Sequence, residues 1–309
     1  MLICEEPLIH VGLHKCASTW LQNILFSDPE KGFAAPWGSM SHRAVTEFVT
    51  VDPLAFDAEQ TLRRFAEAAD LAVPVEGKSI VISHEALSSR PHQGRYYAPS
   101  VADRLKAVFP KARILFIFRE QRKILYSLYG EHIRNGFQSS LEEFLGTGQE
   151  PPGWTSTIQL SFFEYDRLLK MYQAVFGVDR VLGLPMELLN SDPELFTNRI
   201  FDFAGLPQRT VETRNVVYKS WSPLTTSVYR RTNGVIRKSA LGGKAPFAFR
   251  ARAALIRKFD RLVPESISAA REASMRSFID SRTGTFFAAS NQRLAKQLQI
   301  DLAKLGYVS

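Results

Sequence analysis

Cysteine is nearly absent from this chain: Cys4 and Cys16 are the only two in 309 residues. Both stand near the start, and a pair so placed supports neither a disulfide framework nor a zinc site. A reduced, cytoplasmic setting is the natural expectation. No run of about 18 apolar residues occurs, so no membrane-spanning helix is expected. The opening MLICEEPLIHVGL carries two glutamates and no basic stretch, unlike a secretory signal. His10, His14, His42, His92 and His132 lack metal-ligand spacing, and no metal is expected. Internal repeats and low-complexity tracts are missing as well.

What is present is ordinary globular material with a basic excess. Hydrophobic residues make up 45% and charged residues 23%, enough for a packed core. The formal net charge of +8 favours anionic partners: a nucleotide, an acidic glycan, nucleic acid or a membrane face. No nucleic-acid motif or aromatic stacking signature accompanies that charge, so nucleic acid is not an expected partner.

Four short apolar runs read as buried parallel strands: LIHVGL over 8–13, SIVIS over 79–83, RILFIF over 113–118 and RVLGL over 180–184. Helical patterns lie between and around them, over 18–26, 58–70, 101–109, 121–134 and 162–176. Strands alternating with helices predict an α/β fold with an open parallel sheet and right-handed crossovers. GTGQEPPG (146–153) is a loop by composition and, beside Trp154, a candidate acceptor rim. SALGGKAP (239–246) reads as a flexible joint. Beyond it, 247–262 reads as a basic amphipathic helix and 286–305 as another helix. The expected organisation is a core over 1–235 with a helical extension, 236–309, packed on the same domain.

The passage LIHVGLHKCASTWLQNIL (8–25) carries the first chemical signal. A strand ends at Gly12, a short loop carries Lys15, and Ser18 and Thr19 open a helix. Loop and helix amides then point outward, and the helix dipole reinforces their pull on an anion. Lys15 adds a point charge and the two hydroxyls add donors. The same pattern also fits a plain capped turn with a solvated lysine. A Walker A loop is excluded, because that motif needs a glycine directly before the lysine and Ser or Thr directly after it. The second signal is ARILFIFREQRKILYSLYGEHIRNG (112–136). Arg119 sits at a strand's carboxyl end, where open α/β sheets bind ligands. Ser127 follows eight residues later on the next helix. A guanidinium fork and a hydroxyl can grip one phosphate together.

Together these passages resemble the sulfotransferases that use 3′-phosphoadenosine 5′-phosphosulfate (PAPS). The order Lys-x-x-Ser-Thr-Trp-Leu is similar to their 5′-phosphosulfate loop, departing at Cys16, at Ala17 (often Gly) and at Ser18 (often Thr). The Arg119/Ser127 element is similar to their 3′-phosphate element. The resemblance spans roughly 7–207, more weakly the tail, and implies a P-loop-like sulfotransferase fold with helices flanking a parallel sheet. It implies that Lys15, Cys16, Ala17, Ser18, Thr19, Trp20, Arg119 and Ser127 hold PAPS. Lys219 in YKSWSP falls where relatives close a late loop over the nucleotide. The resemblance also implies sulfuryl transfer to an acceptor hydroxyl or amine, on a carbohydrate, glycolipid or small metabolite. Lys15 would steady the departing phosphate.

Such a transfer needs a base, and VISHEAL (81–87) offers His84 and Glu85. Some relatives use a His in this region and glycan-type relatives a Glu; Ser-x-Glu-x-Leu-Ser favours Glu85 slightly. If the strand persists, its neighbours point to opposite faces and only one enters the site. Glu187 and the 290–307 tail read as packing. The helix over 247–262 leaves peripheral membrane contact open. The alternative function is a small-molecule kinase, which shares the strand-loop-helix anion site but needs a magnesium carboxylate that is not evident.

Overall fold

The computed structural model describes residues 6–147, 149–150, 154–212, 221–234, 247–260 and 264–309. Lys219 and the 239–246 segment lie outside the described residues. Five strands form one all-parallel sheet: β1 Leu8–His10, β2 Phe33–Ala34, β3 Ser79–Ser83, β4 Arg113–Phe118 and β5 Val181–Pro185, in the order β2-β3-β1-β4-β5. The chain therefore moves to one side of β1 for β2 and β3, then crosses to its other side for β4. That reversal opens a crevice at the carboxyl ends of β1, β3 and β4.

Each strand is apolar because helices cover both sheet faces. Leu8 and Ile9 of β1, Val81 and Ile82 of β3, and 114–118 of β4 are all buried. The helix Gln121–Arg134 follows β4. Its start is fixed by Glu120, whose carboxylate accepts from the amides of Arg122 and Lys123, both at 2.9 Å. The helix Tyr165–Phe176 lies under β4 and β5, with Tyr165 edge-on and Tyr172 tilted against Phe116. Phe116 and Phe118 are fully enclosed, and truncating either to Ala would cost about 3–5 kcal/mol.

Most expected elements appear at their expected places, with informative differences. β1 is shorter than 8–13, yet Val11 and Leu13 still donate to the carbonyls of Leu115 and Ile117, so the chain continues beside β4. The helix expected over 18–26 is a turn of α-helix, Ser18–Trp20, running into a π-type turn, Leu21–Leu25. The two-residue edge strand β2 has no sequence signature of its own. Helices Pro193–Ala204, Pro223–Thr232 and Glu265–Thr283 were not expected. Toward the tail, Ile256, Ile279, Phe287, Leu294, Leu302 and Tyr307 share the same buried cluster as the strands. No described helix is long and apolar enough to cross a membrane.

Candidate active site

The loop after β1 turns on two residues in the left-handed region, Lys15 (φ 69°) and Ala17 (φ 56°). Neither is glycine, so each stores strain of about 1–2 kcal/mol. Burial offsets it: Leu13 and Cys16 are enclosed, and Trp20 packs edge-on to Phe196. Gly12 is required for a different reason, since a Cβ there would collide with the His10 ring. His10 in turn bonds Ser83 at the end of β3 (Nδ1 to Oγ, 2.8 Å), and Gln22 donates to the same hydroxyl at 3.2 Å. The loop is thus tied sideways to β3.

Its other side meets β4. Arg119 reaches back from the end of that strand, and its Nη1 donates to the Lys15 carbonyl at 3.4 Å. The Arg119 carbonyl accepts from the Tyr165 hydroxyl at 2.8 Å, which fixes the backbone there. The Lys15 ammonium pairs with Glu131 at 2.9 Å. Glu131 stands four residues beyond Ser127 on the same helix, hence on the same face. Lys15, Arg119 and Ser127 are therefore neighbours around one crevice. Ser127 is nearly buried and lines a groove with Tyr126, Gly130, Arg134, Trp221 and Met275.

The residues assigned to the phosphate loop differ in what they present. Ser18 is buried and its Oγ has no partner, a donor awaiting an acceptor. Thr19 is exposed. Cys16 is enclosed, and burial pushes its thiol well above the usual range, so it presents backbone rather than sulfur. Trp20 is likewise turned into the core.

β3 ends at Ser83, so the alternation expected across His84 and Glu85 does not apply. His84 caps a 3₁₀ turn, Glu85–Ser88, and its Nδ1 accepts from the Ala86 amide at 3.1 Å. The ring must then carry any neutral-form proton on Nε2. Burial lowers its pKa. Glu85 stands between two imidazoles, 3.8 Å from His14 and 3.8 Å from His84, with Oε2 lacking a hydrogen-bond partner. Ser88 clips this turn to the loop by donating to the Gly12 carbonyl at 2.9 Å. His14 and His92 meet edge to face at 4.7 Å, and burial drives their pKa values down to about 3 and about 4.

Glu131 is the residue that the sequence argument missed. Burial alone would raise its pKa, but Arg134, at 2.7 Å, and Lys15 hold it down at about 2. Its spacing from Ser127 was the available signal. Among the described residues no cluster of three or more His, Cys, Asp or Glu is arranged to hold a metal ion.

The crevice, its two cationic elements and the all-parallel sheet define an α/β protein with basic side chains gathered at the carboxyl ends of its strands. The family model described as "Sulfotransferase family" matches residues 7–210, and the chain belongs to that family. Among solved structures it is similar to a sulfotransferase from Alicyclobacillus acidocaldarius, with 16% identity and a TM-score of 0.55 over 98% of this chain and 99% of that one. It also matches sulfotransferase STF1 from Mycobacterium tuberculosis, with 13% identity and a TM-score of 0.37 over 88% of this chain and 78% of that one. A mouse sulfotransferase complexed with PAP matches with 13% identity and a TM-score of 0.37, over 67% and 61% of the two chains. A comparison with curated proteins gives no match.

Proposed function

We propose that this sulfotransferase takes the sulfuryl group from PAPS and passes it in line to an acceptor hydroxyl. The observation that carries this reading is the closeness of two phosphate-binding elements on adjacent strands, with Arg119 donating to the backbone of Lys15 itself. One doubly phosphorylated adenosine could engage both: its 5′-phosphosulfate on the loop 12–19, its 3′-phosphate on Arg119 and Ser127. The unpartnered Ser18 hydroxyl adds a donor on the loop side.

The chemistry follows from where the charges sit. The acceptor oxygen attacks sulfur as the bond from sulfur to the 5′-phosphate oxygen breaks. Negative charge grows on that leaving oxygen, and Lys15, once free of Glu131, meets it. The acceptor proton needs a base on the β3 side. Glu85 suits this better than His84, because the Nδ1 lone pair of His84 is already used by the Ala86 amide. His84 then orients Glu85. Beside Glu85 stand His14 and His84, with His92 behind His14, a polar wall that suits hydroxyl-bearing acceptors such as a carbohydrate, glycolipid or polar metabolite.

Thermal unfolding with adenosine 3′,5′-bisphosphate (PAP), ATP, ADP and AMP tests the reading. Binding to the folded state raises its stability by mass action. PAP should stabilise most, without magnesium. A response to ATP with magnesium and none to PAP would favour a kinase instead.

A further inference from the structure

Far along the chain, Tyr307 and Val308 return to the carboxyl end of β4, beside Arg119. The Tyr307 hydroxyl donates to Glu187 Oε2 at 2.9 Å, and Glu187 Oε1 accepts from the Glu120 amide at 3.1 Å. Glu120 is the cap of the helix that carries Ser127 and Glu131. Phe118, directly before Arg119, packs edge-on against the Tyr307 ring with centroids 6.1 Å apart. One residue on, Asn291 accepts from Gln121 at 2.7 Å and donates to the Val308 carbonyl at 2.8 Å. Residues 118, 120 and 121, which bracket Arg119, are therefore each held by the tail or by what the tail holds.

These contacts form an enclosed network. Tyr307 is 4% exposed, and burial pushes its phenol and that of Tyr165 well above the usual range. Both remain O–H donors at any working pH. Burial raises the Glu187 carboxyl as well. No ligand need touch Tyr307; its contacts end on the backbone from which Arg119 and Ser127 project.

We propose that Tyr307, acting through Glu187 and the Glu120 amide, is a positioning residue that sets Arg119 and Ser127 for recognition of the donor's 3′-phosphate. This rests on the donor reading above. The hydrogen bonds of the tail end on the Arg119 side of the crevice, so their loss should bear chiefly on the 3′ end of the donor, although Tyr307 and Glu187 also lie near Cys16 of the loop 12–19.

The test compares affinities for PAP and AMP, which differ by the 3′-phosphate, in wild type and in Tyr307→Phe. Wild type should prefer PAP. Tyr307→Phe should lose about five- to tenfold of that preference, the net worth of one ordinary hydrogen bond, while AMP binding stays the same. Glu187→Gln should retain the preference, since an amide can accept from Glu120 and donate to the Tyr307 oxygen; Glu187→Ala should lose it. If Tyr307→Phe folds poorly, the Glu187→Gln and Glu187→Ala pair decides alone. Equal losses for PAP and AMP, or an unchanged preference in both Tyr307→Phe and Glu187→Ala, overturn the proposal while sparing the donor reading. A wild-type chain that does not distinguish PAP from AMP overturns both.

Discussion

Removing the Glu131 carboxylate should loosen the protein and tighten its hold on PAP. The Glu131 carboxyl is held at about 2 against an ordinary 4.5. The gap of roughly 2.5 units corresponds to about 3 kcal/mol favouring the charged form, net of burial. Against burial, Arg134 contributes through its charge, and Lys15 through both its charge and its hydrogen bond. Lys15 is 30% exposed, so solvent screening trims its part to about 1 kcal/mol. That energy restrains the lysine away from a phosphate. Glu131→Gln should therefore raise PAP affinity about fivefold, read by titration calorimetry. The sign with pH follows from linkage. A carboxylate depressed in the folded state stabilises above its unfolded pKa and loses that contribution as pH falls through the folded one. The variant should thus be less stable than wild type at pH 7, with the difference closing between pH 4.5 and about 2. Unchanged or weaker PAP binding in the variant, or a stability gap that ignores pH, would refute this account of the ion pair.

Lys15→Ala should abolish turnover, whereas Arg119→Ala should chiefly raise the KM for PAPS; equal turnover of wild type and Lys15→Ala would count against the mechanism. Glu85→Gln should cut kcat by about 10²–10⁴-fold, while His84→Asn, which keeps an acceptor for the Ala86 amide, should retain most of it; the reverse pattern would make His84 the base. Ala17→Gly should stabilise by about 0.5–1 kcal/mol, since relief of left-handed strain exceeds the added unfolded-state freedom, and a lower Tm would mean the loop is not strained there. Burial keeps His10, His14, His92 and His132 neutral in the fold, at about 3, 3, 4 and 4 against 6.5. Groups lowered in this way withdraw stability as pH falls below 6.5, so unfolding at pH 5 should take up about four protons, measurable from the pH slope of stability.

The two strand-end elements proposed to hold phosphate were legible as strand ends because each combines a strand of apolar residues with charges placed just past its end. RILFIF followed by Arg119 announces both a buried strand and a residue that must leave it. β2 was not legible: two residues paired at a sheet edge carry no periodicity. The helix Glu265–Thr283 escaped because its apolar positions are sparse and much of it is exposed. Glu131 and Tyr307 were hidden for a different reason. Their roles depend on partners 116 and 120 residues away in sequence, Lys15 and Glu187. Glu187 read correctly as a packing residue, but what it packs against is the backbone beside Arg119. Its buried carboxylate is satisfied only once sheet, helix cap and tail have all come together.

The same sheet order divides the crevice electrostatically. On the β4 side, the end proposed for the donor's 3′-phosphate, Arg119 supplies positive charge. On the β3 side the histidines are held neutral, by burial first, then by mutual repulsion and by the field of Arg90. Protonated, they would compete with the loop for a phosphosulfate and leave Glu85 neutralised by two imidazolium neighbours. Neutral, they leave His14 and His84 on either side of Glu85 without positive charge. On the proposed reading a highly charged donor is drawn to β4 and the loop, and an uncharged acceptor to the side facing β3. Lys15 is held by Glu131, and the proposed mechanism requires that restraint to be released before transfer begins.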